Sequence, residues 1–126
     1  MSAPLAVGIG CRLDASAESI AALVTETLKT CSGDASALFT HREKAEAANV
    51  QLAAQSLGLT LIGLSTERLA EQTPRLTRTS EAAKRRFGVG SVAEAAAIAG
   101  AGPGATLLAF AKTRDVTCAI AAPTPA

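Results

Sequence analysis

The chain of 126 residues has no tryptophan and no tyrosine, and its only aromatic residues are three phenylalanines. Its core must therefore be built from alanine, leucine, valine and isoleucine, which predicts close packing of helices against a sheet. Nucleic-acid sites usually combine stacking aromatic side chains with a strong basic excess. The formal net charge is only +1, so we expect no nucleic-acid partner.

Cysteine and histidine, the usual ligands of zinc and iron–sulfur clusters, are equally scarce. The chain has three cysteines, at positions 11, 31 and 118, and a single histidine, His41. No Cys-x-x-Cys pair occurs, and the residues do not make a zinc or iron–sulfur ligand set, so we predict neither a metal site nor a cofactor. An odd number of widely spaced thiols, with no basic start of a signal peptide, favours a cytoplasmic location.

The chain also lacks an uninterrupted apolar run of membrane-spanning length. The stretch from Val92 to Ala111 comes nearest, but Glu94 and the breaker Gly100–Gly104 interrupt it. A hydrophobic content of 48% and a mean hydropathy of +0.28 still indicate a folded core rather than disorder. We therefore predict a single domain over residues 1–126 with no membrane segment.

Apolar runs alternate with helical periodicity through the first half of the chain. Strands are predicted over 5–10, 37–40 and 59–64, and each is followed by a helix. Asp14 or Ser16 caps the first helix, Thr40–Glu43 has capping-box spacing for the second, and Gly58 ends it. The third helix is predicted over 66–72. This β-α-β-α-β-α order favours parallel strands joined by right-handed crossovers, with helices on both faces.

The second half of the chain predicts short helices from Ser80 to Gly88 and from Ser91 to the glycine breaker. Strands over 106–111 and 116–121 flank a turn and form an antiparallel pair. The predicted fold class is α/β: one three-layer α/β/α domain, with a mostly parallel mixed sheet of about five strands and a C-terminal antiparallel hairpin.

The segment Gly8-Ile9-Gly10-Cys11-Arg12 lies where the first strand leads into a helix. Glycines there let the backbone approach a ligand, and the helix N-terminus favours an anion at the sheet edge where ligands bind. The alternative is a tight turn that needs glycine for backbone geometry alone.

Arg12 and the helix N-terminus both lower the pKa of a neighbouring thiol such as Cys11. The alternative for Cys11 is a small buried residue.

Other polar residues also allow two interpretations. His41 is either a proton shuttle or a surface loop residue. Ser91-x-x-Glu94 has capping-box spacing, which favours a capping role for Glu94 over catalysis. Five of the twelve basic residues fall in one stretch, which forms either a clamp for carboxylates or a solvated face. They are Arg75, Arg78, Lys84, Arg85 and Arg86.

Several segments, in the same order over nearly the whole chain, match the pattern of a known protein family. They are Val7–Arg12, Thr40 with Lys44 and Glu46, Leu57-Gly58, Gly88–Ala97, Lys112 and Thr117–Ala121. In these segments the chain resembles the CobE/CbiG C-terminal family of cobalamin biosynthesis, in its freestanding form. It departs from the family where Glu46 is followed by Ala47 rather than by a second acidic residue.

The resemblance implies a tetrapyrrole ligand, a precorrin or corrinoid intermediate, and other enzymes of the pathway as partners. In the first hypothesis the protein holds or delivers this ligand. Arg12, Lys44, Arg75 and Arg78 would then bind its carboxylates, within a site that also includes Gly8, Gly10, Cys11, His41 and Ser91.

Two further hypotheses remain open. The resemblance also implies a hydrolase that opens the ring-A lactone of a precorrin, with Glu46 or Glu94 activating water. A small phosphate- or nucleotide-binding module would use the loop from Gly8 to Arg12. A homodimer formed through an edge strand near the C-terminal hairpin is also left open.

Overall fold

Five strands form one sheet in the computed structural model, which describes residues 4–77, 81, 84–85 and 91–124. The strands are β1 (Leu5–Cys11), β2 (Ala35–His41), β3 (Thr60–Leu64), β4 (Thr106–Lys112) and β5 (Val116–Ala122). Their order across the sheet is β3-β2-β1-β5-β4. Strands β1, β2 and β3 are parallel, and β5 is antiparallel to both of its neighbours. The predicted fold class, including the C-terminal hairpin, is confirmed.

The helices are α1 (Ala17–Leu28), α2 (Arg42–Ala45), α3 (Ala48–Leu57), α4 (Thr66–Ala70) and α5 (Val92–Ala101), with a 3-10 turn at Thr73–Arg75. Ser16 caps α1, and Gly58, with φ of 70°, ends α3. The predicted second helix is wrong in one respect: Ala47 is extended, with ψ of 137°, and separates α2 from α3. No helix in the described ranges has the length and apolar character to cross a bilayer. The helix predicted from Ser80 to Gly88 lies mostly outside the described residues.

Helices α1 and α3 cover one face of the sheet. Alternate residues of the central strand β1, Val7 and Ile9, face them and are fully buried. Ile20 of α1 and Val50 of α3 complete this core. Each such aliphatic side chain contributes about 1.5–3 kcal/mol when fully buried. The hydrophobic periodicity of the two helices therefore fixes which of their faces meets the sheet.

Helix α5 covers the opposite face and is buried along nearly its whole length, from Val92 to Ala99. Six of its ten residues are alanine, and Leu69 of α4 packs on its outer side. Gly8 of β1 lies directly beneath it. A Cβ at Gly8 would lie 2.1 Å from the carbonyl oxygen of Ala93 and 2.5 Å from the amide nitrogen of Ala97. The absence of a side chain at Gly8 therefore allows the close contact between α5 and the sheet.

Candidate functional site

The carboxyl ends of β1, β2 and β3 lie at one edge of the sheet. The pairing of β5 with β1 and β4 brings the start of β5 and the end of β4 to the same edge. We call this the carboxyl edge, and it is marked by Cys11, His41, Leu64, Lys112 and Val116. Ligands of open α/β sheets bind outside this edge, which makes it the candidate site.

Three residues lie side by side at the carboxyl edge, on the face that carries α5. Lys112 pairs with Thr117, and Thr117 pairs with Gly10. Residues paired across strands point to the same face, so all three share the side of the sheet on which α5 begins. The Thr117 hydroxyl donates to the carbonyl of Gly10 at 3.2 Å. Sequence reasoning gave Lys112 and Thr117 no place in the site, because strand register depends on pairing rather than on local pattern.

His41 ends β2 and is buried, with 3% exposure. Its Nδ1 accepts from the amide of Glu43 at 3.1 Å and so caps α2, a role that the sequence assigned to Thr40. Because Nδ1 is the acceptor, we place the ring hydrogen on Nε2, which lies 2.7 Å from the Thr66 hydroxyl. His41 is therefore not a surface loop residue; its ring links β2, α2 and α4.

Lys44 lies in α2 and is 94% buried, with an exposure of 6%. Helix α2 packs over Gly63, on the face covered by α1 and α3. In the part of the chain that the structure describes, no acceptor bonds the Lys44 ammonium and no carboxylate pairs with it. Lys44 thus has a largely buried stem at the carboxyl edge, and its ammonium group reaches solvent without a partner among the described residues.

The charge of Lys44 acts on the thiol of Cys11, at the end of β1. Burial raises the pKa of the Cys11 thiol above its ordinary value, and the Lys44 ammonium opposes this rise. The sequence indicated a lowering by Arg12 and the helix N-terminus. That expectation is wrong, because desolvation of the thiolate outweighs the nearby positive charge.

Arg12 lies on the loop that follows β1. Its Nε is 3.8 Å from Oδ1 of Asp115, in a pair with side-chain exposures of 64% and 42%. Its backbone amide donates to the Asp115 carbonyl at 2.9 Å, which ties this loop to the β4–β5 turn. The neighbouring Leu13 is 76% exposed. An exposed ion pair of this kind contributes little to stability, so Arg12 can exchange its partner at small cost.

The two candidate catalytic carboxylates lie on opposite faces of the sheet. Glu94, in α5, is 1% exposed and accepts from the backbone amide of Thr77 at 3.0 Å and from the Thr77 hydroxyl. Ser91 caps α5 by accepting from the Glu94 amide at 3.3 Å. Glu46 is exposed and follows α2, on the α1 and α3 face. The structure therefore does not bring Glu46 and Glu94 together.

The remaining predicted residues lie apart from Lys44 and Arg12. The Arg75 guanidinium donates to the carbonyl of Ala105, beyond the C-terminal end of α5. Helix α5 begins over Gly10 and has ten residues, and at 1.5 Å per residue it is about 15 Å long. Arg75 thus lies near the opposite end of α5, not folded over the carboxyl edge. Arg78 and the Gly88–Gly90 segment are outside the described residues.

Gly8 and Gly10 lie within β1 rather than in a loop after it. The space above Gly8 is taken by the backbone of α5, so the close approach that this glycine allows is to α5. Within the described ranges, no cluster of three or more His, Cys, Asp or Glu side chains has the geometry to hold a metal ion.

Comparisons with known proteins agree on one family. The family model described as cobalamin synthesis G C-terminus matches residues 5–121. The crystal structure of CobE, a protein from the cobalamin (vitamin B12) biosynthetic pathway, superposes with a TM-score of 0.87 at 33% identity, over 97% of this chain and 93% of CobE. Cobalamin biosynthesis protein chiG from Agrobacterium tumefaciens str. C58 gives a TM-score of 0.75 at 33% identity, over 96% of this chain and 99% of chiG.

Comparison with proteins of curated function gives no match. The family model nevertheless covers most of the sequence, and both structural relatives match almost from end to end. The matched region includes the three parallel strands, α5 and the C-terminal hairpin, which together build the carboxyl edge. The chain therefore belongs to the cobalamin synthesis G C-terminal family, whose structural relatives CobE and chiG are proteins of cobalamin biosynthesis.

Proposed function

We propose that this protein binds a tetrapyrrole intermediate of cobalamin biosynthesis at the carboxyl edge and holds it for delivery. The observation that carries the proposal is Lys44, whose side chain is largely buried, at 6% exposure, and whose ammonium has no anionic partner among the described residues. A cation held in place by a buried stem loses little conformational freedom when it binds an anion. Corrin precursors have an apolar macrocycle ringed by acetate and propionate carboxylates, and one of these carboxylates is the natural partner for Lys44.

The other residues of the carboxyl edge suit such a ligand. Cys11 and Thr117 are uncharged, and the exposed Leu13 offers an apolar contact for the macrocycle. Arg12 supplies a second cation, because its solvent-exposed pair with Asp115 is readily exchanged for a ligand carboxylate. These residues combine apolar contact with positive charge, as a macrocycle with anionic substituents requires.

Binding is better supported than catalysis or nucleotide recognition. Opening a lactone needs a carboxylate that activates water beside the bound ring. Glu94 is engaged by Thr77 and lies on the opposite face of the sheet from Glu46, so the two carboxylates do not form a catalytic pair. A phosphate-binding loop needs open space above its glycines, and α5 fills that space at Gly8.

We place this activity in the cytoplasm, with handover of the ligand to other enzymes of the pathway. The support is that all three cysteines are free thiols, a state typical of a reducing compartment.

Replacing Lys44 with methionine should weaken binding of cobyrinic acid, a corrin whose side-chain carboxyls are free, by about 10- to 100-fold. The substitution keeps the volume of the buried stem and removes the charge that pairs with the ligand. It should leave the Tm of the ligand-free protein nearly unchanged, because it keeps the buried stem and removes an ammonium group that has no partner among the described residues. A titration of the visible absorption band at fixed ionic strength, with a thermal melt of the same sample, measures both effects.

Glu46→Gln is the matched control, since it changes the charge of an exposed residue two positions away. It should leave the affinity for cobyrinic acid unchanged. Wild-type affinity in Lys44→Met, or no saturable shift with the wild-type protein, would refute the proposed function. Incubation with a lactone-bearing precorrin tests the alternative: turnover by the wild-type protein that disappears in Glu46→Gln would establish the hydrolase.

Ligand binding should also protect Cys11 from alkylation. Cys11 is partly exposed beside Lys44, whereas Cys31 follows the C-terminal end of α1, away from the carboxyl edge. Cobyrinic acid should slow the reaction of iodoacetamide with Cys11 severalfold and leave the rate at Cys31 unchanged. Peptide mass spectrometry measures the extent of alkylation at Cys11 and at Cys31 separately. Equal protection of both cysteines would indicate a general change in protein stability, and not coverage of Cys11 by the bound ligand.

A further inference from the structure

We propose that Lys112, at the end of β4, binds a second carboxylate of the same ligand, so that the ligand lies across the carboxyl edge from β2 to β4. This inference rests on the proposed function and adds the second anchor and the direction of the bound ligand. The strand register places Lys112, on the outermost strand β4, at the same edge of the sheet as the rest of the site.

The register gives the separation of β4, which ends at Lys112, from β2, which leads into the helix that carries Lys44. Strands β5 and β1 separate β4 from β2, and neighbouring strands lie about 4.8 Å apart, so the two outer strands are about 14 Å apart. Lys112 pairs with Thr117, which pairs with Gly10, so Lys112 is on the α5 face. Lys44 is on the opposite face. A ligand that meets both lysines must cross the ends of β1 and β5.

The turn that follows Lys112 is held by backbone hydrogen bonds and by one bond to a side-chain hydroxyl. The Thr113 amide donates to the Val116 carbonyl at 2.8 Å, and the Val116 amide donates to the Thr113 hydroxyl at 3.1 Å. The Asp115 carbonyl accepts from the Arg12 amide at 2.9 Å. Lys112 is therefore presented by a rigid end of the hairpin, which reduces the entropy lost when it binds a ligand.

The charged residues along the strand ends between Lys44 and Lys112 are arranged for a planar ligand with anionic groups around its rim. Lys112 is exposed, and in the described part of the chain no carboxylate forms an ion pair with it. The acidic residue of its own turn, Asp115, forms its ion pair with Arg12 in the ligand-free protein and not with Lys112. Thr117, Gly10 and Cys11 lie between the two lysines and carry no charged side chain. Lys44 and Lys112 stand at the two ends of this line of strand ends, with Arg12 on the loop after Cys11, where carboxylates around the rim of a macrocycle would meet them.

The test compares Lys112→Met with Lys29→Met in titrations with cobyrinic acid. Lys29 follows α1 at the other end of the sheet and pairs with Glu26 at 3.3 Å, so its loss removes the same charge elsewhere. Lys112→Met should weaken binding about fivefold at low ionic strength, as expected for an exposed charge pair. In about 1 M salt, where the Debye length falls to about 3 Å, this difference should disappear, whereas the effect of Lys44→Met should persist.

The outcomes separate the inference from the proposed function. Loss of affinity in Lys44→Met with wild-type affinity in Lys112→Met overturns the second anchor and leaves the proposed function standing. Equal weakening in Lys112→Met and Lys29→Met also overturns it, since only net charge would then matter. No binding by the wild-type protein overturns both. The fully esterified corrin, which has no carboxylates, should show no difference between Lys112→Met and wild type, and a persistent difference would also contradict the carboxylate contact.

Discussion

The substitution Gly8→Ala should lower the free energy of unfolding by about 3 kcal/mol or more, which is at the high end for overpacking of a core. The added Cβ would lie 2.1 Å from the Ala93 oxygen and 2.5 Å from the Ala97 nitrogen. Both atoms belong to the backbone of α5, so no side-chain rotation relieves the clash. The helix must move away from the sheet and lose contacts along its buried length. Urea unfolding measures the change, and the Tm should fall by about 10 °C.

Gly10→Ala is the control for this prediction. Gly10 lies on the same face of the same strand, but its added Cβ would meet the Thr117 hydroxyl at 2.9 Å, the end of a side chain that can rotate. We expect a loss of about 1 kcal/mol, mainly from the displaced hydroxyl bond to the Gly10 carbonyl. Equal destabilisation by the two substitutions would show that α5 adjusts freely and that Gly8 does not set its position.

Raising the pH above 9 should destabilise the protein through Cys118, a fully buried thiol of β5. Burial raises the pKa of the Cys118 thiol from its ordinary value of 9.0 to about 12. Below pH 9.0 the thiol is protonated in both folded and unfolded chains, so the stability it contributes is fully present. Between 9.0 and about 12 only the unfolded chain loses the proton. Stability then falls by about 1.4 kcal/mol per pH unit.

Cys118→Ala isolates this contribution from other groups that titrate in alkali. The variant should be less stable than the wild type at neutral pH, because it leaves a small cavity, but it should lose less stability as the pH rises. Between about pH 8 and about pH 10.5 the wild type should lose about 2 kcal/mol more than the variant in urea unfolding. Parallel losses would show that the folded protein ionises Cys118 as readily as the unfolded chain does.

The features predicted correctly from the sequence are those with local causes. Ser16 and Ser91 cap their helices through amides three residues ahead, and Gly58 ends α3 in the left-handed conformation that glycine favours. The alternation of strands and helices predicted the parallel part of the sheet. The interruption at Ala47 was missed, because alanine is a good helix former and its extended conformation depends on how α2 and α3 pack.

Features of the site with non-local causes were not predictable. The pKa of Cys11 depends on burial and on Lys44, which is distant in the sequence. The Glu94 carboxylate is engaged by Thr77, seventeen positions earlier. Lys112 reaches the candidate site only because β5 lies between β1 and β4. A single sequence contains the residues of the site but not the strand order that assembles them.

The position of β5 has a consequence for synthesis of the protein. This strand comes after all the other strands in the chain, yet it lies inside the sheet, hydrogen-bonded to β1 on one side and to β4 on the other. The parallel half, β1 to β3, therefore leaves the ribosome with one side of β1 unpaired and with Val7 and Ile9 lacking the neighbours that β5 supplies. Closure of the sheet must await residues 116–122, so the nascent chain carries an open, aggregation-prone edge until translation has passed them.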